Sequence, residues 1–277
     1  MRAQIQFKFR PTLILFALSL LLASGLNYTI DSSFKITKGG HVFLMGKMLD
    51  SGVLQSFLND KCEDQEFSLC AYKDQLPEDS RSLLWSEESP LILEGGWQAT
   101  EESYRQILFG ILTSPKHLAL YTYNAAYSSL SQLVQIDLGS GLESNWYREA
   151  SSPPYTQIEK HFKLELKPYL QARQNGNLWK QELNLKEFNF VYKGFLFLSL
   201  AFIMWLVAGE KRRIILDHRL QLMFFAILML ILLNAIVTAS LANTYDRLQA
   251  RVSWLVIWFT LIVIQAKKKE LSALKEE

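Results

Sequence analysis

The stretch Gly194–Ala266 reads GFLFLSLAFIMWLVAGEKRRIILDHRLQLMFFAILMLILLNAIVTASLANTYDRLQARVSWLVIWFTLIVIQA, and it decides the fold. Three apolar runs are separated by two short polar loops. The middle run, Leu220–Leu241, is 22 residues without a charge. A helix of that length covers about 33 Å, enough to cross a hydrocarbon core of about 30 Å. The run before it is expected to span Val191–Ala208, with Lys193 snorkelling to the interface. The run after it, Val252–Ala266, has only 15 residues. It needs its flanks, or a thinner bilayer, to cross.

Working outward, a fourth apolar run lies near the amino terminus. Arg2, Lys8 and Arg10 precede TLILFALSLLLASGL, Thr12–Leu26. A basic segment followed by an apolar core is an export signal, retained as an anchor or cut after Gly25. Either way Asn27 onward crosses the membrane. Asn27-Tyr28-Thr29 matches the glycosylation sequon but lies close to the bilayer. The chain therefore reads as an all-α membrane protein. It has four transmembrane helices, the first also readable as a signal peptide, and a mostly helical exported domain. The boundaries suggested are an anchor over 1–30, the exported domain over 31–188, three spans over 189–268 and a tail over 269–277.

Charge sets the orientation, because Lys and Arg concentrate in short cytoplasmic loops. Lys211, Arg212, Arg213 and Arg219 follow the second span, and Lys267, Lys268 and Lys269 follow the last. The loop between the third and fourth spans carries only Arg247 and Arg251. Both termini then lie in the cytoplasm and 31–188 lies outside it. A net charge of +2 leaves no footprint for nucleic acid. The expected partners are membrane lipids and other membrane subunits.

Within the exported domain, Val42, Met45, Leu49, Val53 and Phe57 recur at helical spacing, and Gly52 divides them into two helices. Cys62 and Cys70 are the only cysteines. In an exported domain such a pair forms a disulfide, which requires the intervening residues to be a loop rather than a helix. Thr100-Glu101-Glu102 starts a helix with a hydroxyl cap and first-turn acids. Its apolar face is Tyr104, Ile107, Leu108, Ile111 and Leu112. A second helix, His117–Leu138, repeats Leu120, Tyr123, Tyr127, Leu130 and Val134, a stripe expected in the core. A charged helix over 156–174 is expected to bend or break at Pro168.

Chemistry is sparse. Four histidines are scattered, with no H-x-x-x-H or H-E-x-x-H spacing, so neither a metal nor a cofactor is expected. No Asp, Glu, Lys, Arg or His occurs in Gly194–Ala208, Leu220–Ala242 or Val252–Ala266. Proton and ion pathways need such groups, so a pump or ion transporter is disfavoured. One cluster departs from this background. Arg247 and Arg251 lie one turn apart with Trp254 a turn further and Gln249 nearby. Paired guanidinium groups suit a phosphate or carboxylate, here an anionic lipid head group or lipid-linked substrate. The competing role is a structural clamp in which Asp246 and acids of the exported domain pair with them and dock that domain on the membrane. His41 and Asp31 are the available acid–base groups if the protein is an enzyme. His41 otherwise serves as a hydrogen-bonded helix-start residue.

The motifs D-R-L-Q-A-R-V-x-W (Asp246–Trp254), H-V-F-L-M (His41–Met45) and C-A-Y-K-D-x-L-P (Cys70–Pro77) resemble uncharacterised bacterial integral membrane proteins. The resemblance implies a bacterial cytoplasmic membrane and carries no activity. The functional expectation is an accessory or assembly protein presenting an exported domain. The alternative is a membrane enzyme or binding protein acting on an anionic lipid or lipid-linked substrate at the outer leaflet.

Overall fold

The computed structural model describes residues 9–138, 150, 152–172, 185–208 and 217–276. Every regular element among them is helical. Four helices are long and apolar enough to cross a membrane, over Leu13–Ile30, Lys186–Ala208, His218–Leu241 and Asp246–Lys268. The Lys211–Arg213 cluster lies outside the described residues. The chain divides into two compact units, Met1–Leu118 and Ala119–Glu277.

The first unit begins with α1 (Phe9–Asp31), then α2 (Gly40–Asp50) and α3 (Val53–Lys61). Gly52 separates α2 from α3 at φ +70°, a left-handed conformation that an L side chain resists. Nothing lies within 4 Å of a Cβ added there. Gly52→Ala should therefore cost about 1–2 kcal/mol from backbone strain alone. Gly52→Asn should cost less, because Asn tolerates this region. Thermal unfolding of the two variants checks the order.

Val42, Met45, Met48, Val53, Leu54 and Leu58 are fully buried, so one apolar face continues across the break. A 3-10 turn over Ser68–Tyr72 follows the loop after α3. Cys62 and Cys70 are bridged, with their Cα atoms 5.5 Å apart. Short helices α4 (Ser80–Trp85), α5 (Pro90–Leu93) and α6 (Gly96–Ala99) come next. Asp79 and Ser89 cap the first two by accepting from Ser82 N and Ile92 N.

The helix α7 (Glu101–Thr113) buries Tyr104, Ile107, Leu108 and Ile111 against α2 and α3, while Leu112 is exposed. Thr100 does not cap it as expected. Its hydroxyl donates backward to Gly96 O because α6 runs directly into α7. Pro115 restarts the chain as α8 (Pro115–Val134).

In the second unit α8 corrects the sequence reading. Tyr123, Tyr127, Leu130 and Val134 are 68–75% exposed, and Gln132 is fully buried instead. The Gln132 amide donates to Tyr245 O at 2.9 Å and accepts from Tyr245 N at 3.0 Å. Tyr121 donates to Ser240 O on the same face. The peptide groups where one membrane helix ends and the next begins need hydrogen-bond partners. The polar face of α8 supplies them, and the apolar stripe is turned away. Gln132 and Tyr121 are eleven positions apart, about three turns, so they share that face.

Downstream, α9 (Pro153–His161) and α10 (Leu166–Gln171) are joined through a 3-10 turn. The break expected at Pro168 lies instead at Phe162, whose φ and ψ are not helical. Pro168 sits in the first turn of α10, where its missing N–H breaks no helical bond.

The spans α11 (Lys186–Ala208), α12 (His218–Leu241) and α13 (Asp246–Glu276) follow, with α13 packed against both others. The last span is no longer short, because its helix continues beyond Val252 and Ala266 at both ends. Leu196, Ile203 and Leu206 meet Ile227, Val256, Phe259 and Val263 in the core, with Ile136 packed against it. Asn234 of α12 donates to Leu248 O and to Gln249 Oε1, and Tyr192 pairs with Ser253 at 2.6 Å.

Candidate functional site: an arginine and tryptophan face on the last span

Two faces of α13 are distinguished by their periodicity. Gln249, Ser253, Val256, Thr260 and Val263 recur at four and three residues and are all buried. Arg247, Arg251, Trp254 and Trp258 recur the same way on another side and are all exposed. The sequence grouped Gln249 with the arginines, and the helix separates them. Gln249 is 1% exposed and turned into the bundle, where it accepts from Asn234 and donates to Ile231 O.

The exposed face is ordered by short contacts. The Arg247 guanidinium lies 5.1 Å from the centroid of the Tyr245 ring, within cation–π range. Trp254 Nε1 donates to Arg251 O at 2.8 Å. Trp254 and Trp258 meet edge to face at 6.4 Å. Among the described residues no acid lies within ion-pair distance of Arg247 or Arg251. Asp246, the nearest acid in sequence, accepts from Asp137 N instead. Asp137 pairs with Lys193. Among the described residues, Asp246 and Asp137 are thus engaged with other partners. Two forked donors one helical turn apart can together hold a phosphate.

The acid–base candidates are placed differently. His41 is half-buried, with Nε2 2.9 Å from Trp97 O, a structural bond at the start of α2. The Asp31 side chain lies outside the described part of the structure.

One cluster was not legible in the sequence. Ser114 Oγ is 2.8 Å from His117 Nδ1, and His117 Nε2 is 3.3 Å from Asp60 Oδ2. Lys116 pairs with the same carboxylate and, by hydrogen bonding, holds it below the usual carboxylate range. The order serine, histidine, aspartate suggests a proton relay. However, the imidazole is 1% exposed and packs edge-on against Phe57 at 5.2 Å. No substrate can reach it, and the assembly ties α3 to the first turn of α8. Its only sequence signal is Ser114 three positions before His117 across Pro115, and Asp60 comes from a distant helix.

Among the described residues no group of three His, Cys, Asp or Glu side chains gathers as a metal site. No protein-family model, curated protein or solved structure matches the chain.

Proposed function

We propose that this is an accessory or assembly protein of a bacterial cytoplasmic membrane, which carries a helical unit outside the cytoplasm and binds anionic lipid head groups through Arg247 and Arg251. The observation that carries the reading is the exposed pair Arg247 and Arg251, with no acid in ion-pair distance among the described residues and Trp254 one turn beyond Arg251. Tryptophans favour the membrane interface, so Trp254 near that end of α13 supports head-group depth there. The Cys62–Cys70 bridge supports an oxidising side for the first unit. Lipid-linked substrates present the same phosphate chemistry and fall within this reading.

Each arginine near an anionic surface contributes about 1 kcal/mol, or roughly fivefold in binding. The double variant Arg247→Gln/Arg251→Gln should retain phosphatidylglycerol correspondingly less well against phosphatidylcholine. Its melting temperature in detergent should be unchanged. Lipid retention from mixed micelles, read by mass spectrometry, makes the comparison. Unchanged retention removes the lipid role, and a lowered melting temperature with unchanged retention restores the clamp.

A further inference from the structure

We infer that the first unit carries its own lipid-contacting edge, formed by Phe34, Ile36, Phe43, Trp85 and Trp97, which rests in the head-group layer at the Asp31 end of α1. This inference rests on α1 crossing the bilayer and is independent of the arginine face on α13.

The apolar window of α1 ends at Ile30. The chain does not leave the membrane along a free tether. Asn27 Nδ2 donates to Lys35 O at 2.6 Å and to Ile36 O at 3.2 Å. Asn27 lies three residues inside the window, about 4.5 Å along the helix axis. The backbone at Lys35 and Ile36 is therefore folded back beside the last turn of the span. In a bilayer that level is the boundary between hydrocarbon and head groups. Phe34 and Ile36 are 63% and 59% exposed there, and at that depth their surroundings are lipid rather than water.

The same segment is bound to the folded unit. Lys35 Nζ meets both Glu101 oxygens at 2.5–2.6 Å, at the start of α7. A Cβ added at Gly39 would lie 2.6 Å from the Trp97 ring, so the indole covers that backbone. Gly39 is three residues beyond Ile36, at most about 10 Å of chain. Trp97 packs against Phe43 at 5.5 Å and Trp85 at 5.9 Å. Phe43 and Trp85 are nevertheless 43% and 47% exposed. Exposed aromatic rings this close to a span end match the belt that tryptophan and other amphipathic rings form at membrane interfaces. The occupant is thus the phospholipid surface of the leaflet that α1 leaves. The same two bonds engage the Asn27 amide nitrogen within the sequon.

The test uses the full chain, with Cys62 and Cys70 bridged, in nanodiscs of phosphatidylcholine and phosphatidylglycerol. Single spin labels are placed at Phe34→Cys, Ile36→Cys and Phe43→Cys, all exposed positions whose replacement empties no core. A reference label goes at Thr113→Cys, exposed at the far end of α7, about 18 Å along that helix from Glu101. The expected result is greater collision with oxygen than with a water-soluble nickel chelate at 34, 36 and 43, and the reverse at 113. Equal chelate access at 36, 43 and 113 overturns the inference. Shielding of 36 and 43 from both reagents also overturns it, by showing a second protein copy there instead of lipid.

Discussion

Phe57→Ala is expected to destabilise the first unit by about 3–5 kcal/mol, the usual loss when a buried aromatic is truncated. Phe57 is 1% exposed and its ring joins four parts of the unit. It lies 5.4 Å from Phe67 in the loop before the 3-10 turn and 5.2 Å from His117 at the start of α8. A Cβ added at Gly110 would lie 2.6 Å from its Cζ, so the ring rests directly on the backbone of α7. A helix backbone cannot collapse inward to fill the space, and the cavity would persist. The loss is comparable with the whole stability of a small domain. Limited proteolysis of the purified chain should then cut within residues 40–118 while the α11–α13 bundle stays protected. Phe57→Leu should be milder, since it retains most of the volume. Equal protease resistance of Phe57→Ala and the parent chain would show that the ring is not the hub of this core.

The second large effect is expected at Gln132. Its amide satisfies both the N–H and the carbonyl of Tyr245, at 3.0 and 2.9 Å, from a fully buried position. Gln132→Leu keeps the volume and leaves both peptide groups without partners. Each unsatisfied buried group costs about 1–3 kcal/mol, so the variant should lose about 2–6 kcal/mol. Gln132→Glu retains the acceptor for Tyr245 N but loses the donor to Tyr245 O, and it brings a charge into a buried position. Melting in detergent should place Gln132→Leu well below the parent chain. A parental melting temperature for the leucine variant would mean that water replaces the amide and that α8 is not held by this pair.

The arginine face was half legible. The four-residue spacing of Arg247 and Arg251, with Trp254 following, is a helical stripe whatever the tertiary structure. Whether acids neutralise that stripe depends on Asp137 and Asp246, which lie more than a hundred positions apart and meet through the Asp246 carboxylate and the Asp137 N–H. Gln249 was misgrouped for a related reason. Proximity in sequence does not distinguish the two sides of a helix until Asn234 on another helix shows which side is packed.

The sequence by itself determined the four membrane-length helices, because an uncharged run of sufficient length is a property of composition and backbone hydrogen bonding within one segment. It also determined the division at Gly52, because a left-handed residue is a local requirement of one backbone position. Only the tertiary structure decided which side of α8 is buried. Hydrophobic periodicity names an apolar stripe and assumes that the partner surface is apolar. Here the partner is the exposed peptide backbone at a helix–helix turn, which binds amide and hydroxyl groups more strongly than it binds tyrosine rings or leucine.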